Sequence, residues 1–368
     1  MDEVLKSLML LNSIDSSGIH TWERIKLKKI AADVLWEKNG DVLHDAGLTE
    51  NTAAMLRKRA DENWAEKEYE KCAELGINIV TYYDADYPYA LKELKSPPIL
   101  LYIYGSVRVL PNKTVGVVGT RRATPYGRRV ADSIGRSCAL LDITLVSGGA
   151  AGIDGSAHYA ACRNGGSTLA VLGTGVDVVF PSSHKELFRE IRENGALISE
   201  FPLATKGEPW RFPKRNRIIA ALSDKLIVVE APVKSGAMIT ARMALDLGRE
   251  IWAVPGHIDE DAAAGTNRLI FEGAYPFTDN DTFFRSPSLQ TSLFDSADMI
   301  AGKYKIQDEI SEKEAAVLSL LKHSGERTVD NIALEVKMSA ADILKIIAIL
   351  SAKGMVCLSG PGRYSSRV

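Results

Sequence analysis

Short apolar runs alternate with amphipathic stretches through the middle of the chain. The apolar runs, most of them rich in β-branched residues, cover residues 114–119, 142–148, 167–173, 196–199, 225–230 and 250–256. Helical patterns separate several of them, over residues 126–140, 153–164, 184–193, 213–222 and 237–248. Strands that are apolar throughout are buried on both faces, so this order predicts a mostly parallel sheet covered by helices. We predict an α/β fold with a doubly wound, Rossmann-like domain over residues 76–283, preceded within it by strands at 77–83 and 99–105.

The N-terminal part of the chain has a different pattern. Residues 1–75 place apolar side chains at helical spacing, beginning with Leu5, Leu8 and Leu11, and short polar breaks separate the segments. This predicts a small helical domain of the SAM or helix-hairpin-helix type. Two readings remain open, because such a bundle either contacts DNA backbones through hairpin loops or serves as a packing or dimerisation module.

A polar linker is predicted over residues 284–307, and a third domain over residues 308–368. The pattern of residues 308–368 predicts three helices followed by two short strands around residues 359–362, an order typical of a winged helix. Its eight acidic and eight basic residues cancel. Because a wing that reads DNA is usually basic, we expect a protein contact or an accessory role for this domain.

Composition limits the classes of function. The 368 residues are 46% hydrophobic and 25% charged, with a net charge of −2 and a pI near 6.4, so a nucleic-acid site has to be a local basic patch. The four cysteines are far apart and form no Cys-x-x-Cys pair, so we expect neither a metal site nor disulfides. The acidic N-terminus and the lack of long apolar segments predict a cytoplasmic protein that does not contact a membrane.

Three successive strands are followed by glycine-rich turns. Because the carboxyl ends of parallel strands meet at one edge of a sheet, these turns predict an anion site there, where glycine lets backbone amides approach a phosphate and helix N-termini add positive potential. The alternative is that the glycines only permit tight turns. The candidate residues in the turns are Gly119, Thr120, Ser147, Gly148, Gly149, Ala150, Gly152 and Gly173.

Positive charge gathers beside these turns. Arg121 and Arg122 follow the first strand directly, and residues 205–217 contain five basic residues and one acidic residue. Because the planar guanidinium suits bidentate contact with phosphate, we predict phosphate binding here; the alternative is a solvated basic helix face. A fourth turn adds polar candidates, one of which, Ser235, also suits helix capping. The further candidates are Lys214, Arg215, Asn216, Arg217, Ser235, Gly236 and Thr240.

Known enzyme motifs are missing or incomplete. The chain has no P-loop, and its dinucleotide fingerprint is broken between Gly116 and Gly119, which disfavours an oxidoreductase. Asp154 and His158 have the i, i+4 spacing of an acid/base pair, although such a pair more often orients a loop, and we expect Glu200 to hold a neighbouring arginine. We therefore predict no catalytic residues, no cofactor and no metal.

Eight ordered motifs resemble those of the DprA/Smf DNA-processing family. They run from about residue 80 to 280 and include VGVVGTRRATPYG, SGGAAGIDGSAH, LGTGVDVVFPSSH, LISEFP, RFPKRNRIIAALS, VVEAPVKSGAMIT, VPG and GTNRLIFEGA. The resemblance implies a protein that binds single-stranded DNA, forms a homodimer through its Rossmann-like domain, and loads RecA recombinase onto DNA in natural transformation. It also implies that Arg121 contacts DNA and that the turn 147–150 and the segment 215–217 line the same pocket.

The third motif departs from the family pattern. Many members carry a lysine where this chain has Ser182, and Lys185 is a substitute at a different helical angle. The wider superfamily includes nucleotide-hydrolysing Rossmann proteins with similar turns. A phosphoribohydrolase-like enzyme, with Glu200 or Asp154 in acid/base roles, is therefore the competing hypothesis.

Overall fold

The computed structural model describes residues 1–14, 19–27, 44, 47–107, 113–285, 312–352, 356–360 and 363–366. These residues form two compact units, Met1–Phe283 and Phe284–Val368. Most of the predicted linker, residues 286–307, lies outside the described residues.

A mixed sheet forms the centre of the first unit. Its described strands are β1 (Ile77–Thr81), β2 (Leu100–Gly105), β3 (Thr114–Val118), β4 (Thr144–Ser147), β5 (Thr168–Val171), β6 (Ala196–Ser199), β7 (Lys225–Val228), β8 (Glu250–Ala253) and β9 (Tyr275–Pro276). Their order is β1-β2-β6-β5-β4-β3-β7-β8-β9. The strands from β6 to β9 are parallel, and β2 joins them antiparallel. This confirms the predicted doubly wound, mostly parallel α/β fold.

The helices follow the predicted positions with a few exceptions. Those of the first unit are α1 (Glu3–Asn12), α2 (Ile19–Leu27), α3 (Glu50–Asp61), α4 (Trp64–Leu75), α5 (Tyr89–Lys92), α6 (Pro125–Leu140), α7 (Ile153–Arg163), α8 (Lys185–Asn194), α9 (Arg211–Leu222), α10 (Gly236–Asp246), α11 (Asp261–Phe271) and α12 (Asn280–Phe284). The sequence pattern predicts no helix at α11 or α12 and no strand at β9. In α11 the central Gly-Thr-Asn interrupts the apolar pattern, and tertiary packing overrides this weak local preference.

The sheet has a hydrophobic core on each face. Alternate residues of β2 point to opposite faces, so Leu101 and Ile103 join one core and Leu100 and Tyr102 the other. The first core includes α9 and α10, whereas the second includes buried leucines of α1 and α3 together with α8. The helices before residue 76 therefore share a core with the sheet, and the predicted boundary at 75/76 does not separate two independent cores.

The second unit contains α13 (Glu312–Ser324), β10 (Arg327–Thr328), α14 (Val329–Val336), α15 (Ala340–Ala352), β11 (Val356–Gly360) and β12 (Arg363–Ser366). Its strands form an antiparallel sheet in the order β10-β12-β11. The three helices enclose a core around Val317, Ile332 and Ile343. Three helices followed by two strands is the predicted element order, with the two-residue β10 added.

The shared core generates a prediction about stability. Leu10→Ala should lower the free energy of unfolding by about 2–5 kcal/mol, because Leu10 is fully buried where α1 faces the sheet. All five tryptophans precede residue 284, so their fluorescence during urea denaturation of the whole chain reports on the first unit. Leu27→Ala is the matched control, since Leu27 is 81% exposed. If Leu10→Ala changed unfolding no more than this control, the helices would not support the sheet.

Candidate functional site

A crevice opens where the direction of the chain across the sheet reverses. From β3 the chain builds β4, β5 and β6 outward on one side, then returns through α9 to β7 on the other side of β3. Connections that leave adjacent strands in opposite directions create a gap beyond their carboxyl ends. The gap here measures about 640 Å³. The predicted site residues that line it are Gly119, Thr120, Arg121, Arg122, Ala150, Arg215, Asn216, Ser235, Gly236 and Thr240.

The glycine turns pack tightly against one another. Gly152 has a positive φ of +83°, and a Cβ there would come within 2.3 Å of the Thr120 carbonyl oxygen. A Cβ at Gly119 would lie 2.5 Å from the Ile153 side chain. The turn amides also have partners inside the protein, since Thr120 N donates to the Glu230 carbonyl at 2.7 Å. The positive φ of Gly152 fits the alternative that the glycines permit tight turns, and the contact with Ile153 leaves no space for a side chain at Gly119.

The N-terminus of α6 is already occupied by a buried carboxylate. Glu230 accepts hydrogen bonds from the backbone amide of Thr124, at 2.9 Å, and from its hydroxyl. Thr124 in turn caps the helix by accepting from Gly127 N at 3.1 Å. The expectation that this helix end offers free positive potential to a phosphate is wrong, because the negative charge of Glu230 offsets the helix dipole.

The start of α10 faces the crevice and is capped as predicted. The Ser235 hydroxyl accepts a hydrogen bond from Met238 N at 3.4 Å. Ser235, Gly236 and Thr240 line the crevice, and Thr240 donates its hydroxyl to the Gly236 carbonyl at 3.1 Å. The two roles weighed for Ser235 are thus compatible.

Arg121 lies exposed at the crevice on an aromatic surface. Its guanidinium carbon lies 4.8 Å from the centre of the Phe212 ring, and the Phe180 ring is 5.5 Å from Phe212. A guanidinium held on a ring face is oriented yet still open to an anion. A recess of about 220 Å³ beside them is also lined by Gly148 and Gly173.

Sequence reasoning missed the two aromatic residues. Phe180 and Phe212 belong to the motifs FPSSH and RFPKRNR, which were considered for their lysine position and their charge. The residues are 32 positions apart and meet only because the loop after β5 folds against the start of α9. Their signal was a Phe-Pro pair in both segments, which alone did not reveal that they share a site.

Arg215 is buried and braces the edge of the sheet. Only 4% of the residue is exposed, and Nη1 donates to the carbonyl oxygens of Gly148, at 2.7 Å, and Val171. Burial lowers the pKa of the Arg215 guanidinium to about 10, while the attraction of Asp154 opposes this change. Although Arg215 contributes to the crevice wall, the predicted role of an open phosphate ligand is corrected to that of a structural cation.

Two other predicted cations of this segment, Lys214 and Arg217, lie outside the crevice wall. Arg217 forms an ion pair with Glu200, which confirms that Glu200 holds a neighbouring arginine, and it does not line the crevice. The Lys214 ammonium lies over the rings of Phe201 and Trp210, at 5.3 and 5.9 Å. Successive residues of a helix are turned by about 100°, so these charges spread around α9 instead of forming one basic face.

Two more predicted residues lie outside the crevice wall. Ser147 is buried and its hydroxyl donates to the Val117 carbonyl. The Gly149 carbonyl accepts a hydrogen bond from His184 Nδ1 at 3.0 Å. Neither residue lines the crevice or its recess, so the turn after β4 contributes there through Gly148 and Ala150. The substitute considered for the missing family lysine, Lys185, lines a different cavity.

Asp154 and His158 do not form an acid/base pair. Asp154 accepts from Gly148 N at 3.1 Å, and burial raises the pKa of its carboxyl. His158 Nδ1 lies 2.7 Å from the Thr168 hydroxyl, and burial lowers the pKa of its imidazole to about 3. Both side chains are therefore committed to holding the strand ends. In the part of the chain that the structure describes, no group of acidic, cysteine and histidine residues is arranged to hold a metal ion.

The chain is similar to known proteins over most of its first unit. The profile of the family described as DNA recombination-mediator protein A matches residues 78–286, more than half of the chain. The chain belongs to this family. It is 44% identical over 197 residues to protein Smf of Synechocystis, a match that spans about half of either chain (52% of this one and 49% of Smf).

Two solved structures of DNA processing protein A support this assignment. The Streptococcus pneumoniae protein is 31% identical, with a TM-score of 0.65 over 77% of this chain and 95% of that one. A structure of the Helicobacter pylori protein, which concerns its single-stranded DNA binding mode, is 31% identical with a TM-score of 0.53 over 59% and 97% of the two chains.

None of the helices in the described residues has the length and apolar character needed to cross a membrane.

The buried histidine generates a prediction about pH. Because the pKa of His158 falls from 6.5 to about 3 in the folded protein, protonation favours unfolding. The stability it contributes is complete above pH 6.5 and declines as the pH falls towards 3, by at most about 1.4 kcal/mol per pH unit. Denaturation of the His158→Gln variant between these limits should show a correspondingly shallower pH dependence. The exposed-site variant His257→Gln should follow the wild type, and an equal slope in all three proteins would contradict the assignment.

Proposed function

We propose that this chain binds single-stranded DNA in the crevice and assists recombination, as a DNA-binding protein and not as an enzyme. The observation that carries this proposal is the exposed Arg121 guanidinium held on Phe212, with Phe180 beside it. Proteins that bind single strands combine cations that track the phosphates with aromatic rings on which unpaired bases stack. The binding mode studied in the Helicobacter pylori relative supports the same class of ligand.

Several features favour a polymer over a small nucleotide. The crevice is open and is lined by residues of the loops after β3, β4 and β7, and Arg121 and Arg122 are both exposed at it. The competing phosphoribohydrolase hypothesis needs a catalytic carboxylate, yet Glu200 is paired with Arg217 and Asp154 braces the turn after β4. Release of free base from nucleoside monophosphates by the purified protein would nevertheless establish the enzyme.

Family membership supports the further steps of the proposal. We infer that the chain loads RecA onto single-stranded DNA during transformation, and that it does so in the cytoplasm. Its second unit has the element order of a winged helix, and the balanced charge of residues 308–368 favours a contact with protein over one with DNA. We also infer that the chain forms a homodimer.

Arg121→Ala should weaken binding of single-stranded DNA at least tenfold at moderate salt, because it removes both the phosphate contact and the cation on the ring. Arg121→Lys should bind between the two, since lysine keeps the charge without the planar fork. Fluorescence anisotropy of a labelled oligonucleotide across a salt series measures both. The control is Arg189→Ala, which removes an exposed arginine of α8. Wild-type affinity in Arg121→Ala would remove this residue from the site.

The edge of the sheet at β9 supplies a test of the dimer. Phe271 is 91% exposed at the end of α11, and Tyr275 is exposed on β9 itself. Apolar side chains at a sheet edge suit a self-complementary contact. Phe271→Ser should shift the mass measured by light scattering from dimer towards monomer, whereas Leu140→Ser, at a leucine of α6 that is 75% exposed, should not. A wild-type monomer at micromolar concentration would refute the proposed dimer.

A further inference from the structure

A second concave basic surface lies outside the crevice, between α6 and α7. This α6–α7 groove measures about 690 Å³ and is lined by four arginines, with Tyr159 and Asp132 among the other residues. The arginines are Arg128, Arg129, Arg136 and Arg163. None of them belongs to the segments that line the crevice.

The groove carries a net positive charge that is largely uncompensated. Its one carboxylate, Asp132, pairs with Arg136 at 2.8 Å. Within the described ranges, no carboxylate oxygen lies within 4 Å of the guanidinium groups of Arg128, Arg129 or Arg163, and all three residues are exposed. In a chain with a net charge of −2, three open cations around one concave surface attract a polyanion locally.

The groove repeats the pairing of cation and ring found in the crevice. The Arg163 guanidinium carbon lies 5.1 Å from the centre of the half-buried Tyr159 ring, as Arg121 lies 4.8 Å from that of Phe212. An arginine held this way presents its donors to a phosphate, and the aromatic pair offers a face to an unpaired base. An acidic protein surface would use the charges but has no need of the ring.

The groove is formed by the two helices that follow the crevice turns after β3 and β4. The Thr120–Arg121 backbone packs against Gly152, which immediately precedes α7, and Ser156 lines the groove one turn into that helix. On the other side, His184 bonds at 3.0 Å to the carbonyl of Gly149, which lies in the same turn as the crevice residues Gly148 and Ala150, and the His184 ring lies 6.4 Å from that of Tyr159. The loop that carries Arg121 therefore lies against the turn that begins α7, one of the two helices that form the groove.

We propose that the α6–α7 groove is a second binding segment for the same single strand, holding the phosphodiester backbone after it leaves the crevice. The inference rests on the proposed function and extends it. Short strands occupy the crevice alone, whereas longer strands reach both surfaces. The groove thus raises affinity only for strands long enough to cover the distance.

The test uses the double variant Arg128→Gln and Arg129→Gln with oligothymidylates of about 4 to about 30 nucleotides, a range that brackets known site sizes. For the longest strands we expect an affinity loss of about tenfold and a salt slope smaller by about 1.4, the value for two lost phosphate contacts. The shortest strands should bind within twofold of the wild type, which also shows that the variant is folded. The Arg163→Gln variant should affect only long strands as well.

The control removes the same charge elsewhere, with Lys71→Gln on α4 and Arg189→Gln on α8, and should leave every length unaffected. The proposal is wrong if the groove variants bind long strands like the wild type while Arg121→Ala weakens binding at all lengths. In that case the strand binds in the crevice alone, and the groove serves another ligand, such as an acidic protein. If the wild type binds no strand in a salt-dependent way, the proposed function itself is wrong.

Discussion

The buried guanidinium of Arg215 holds the edge of the sheet on which the site is built. It joins the carbonyl ends of β4 and β5 to the start of α9, next to the buried Asp154. A buried cation is stable only when charge and hydrogen bonds compensate its lost hydration, so removing either partner leaves an uncompensated charge. This constraint fixes the position of α9, and with it the Phe212 ring on which Arg121 lies.

Some arginines of this protein bond to other groups within the fold, whereas others are exposed to solvent. Arg215 and Arg217 are paired inside the fold, and Glu230 neutralises the helix end nearest the β3 turn. The open cations at the crevice are instead Arg121 and Arg122, which project from a loop. A surface built from few cations and aromatic rings favours contacts along a backbone and with base faces, which are largely independent of sequence.

The α6–α7 groove is a second exposed surface that is rich in arginine. The chain is slightly acidic as a whole, yet four arginines line the groove and three line the crevice. Adjacent basic surfaces on one rigid unit bind a polymer more tightly than either alone, because the second contact forms at high effective concentration. Family membership and this arrangement point to the same class of ligand.

Local patterns in the sequence determined the fold class, the positions of most strands and helices, and the place of the site beyond the strand ends. Periodicity and turn residues are local signals. Arg121 lies three residues after β3 and Ser235 immediately precedes α10, so their placement needed nothing more. Only the tertiary structure decided which cations are open. The Glu230 carboxylate bonds at the start of α6, and the Phe180 ring meets that of Phe212. Both contacts join residues far apart in the chain, as does the packing that decides which side of α9 is buried. Long-range packing creates these contacts, and no local pattern encodes them.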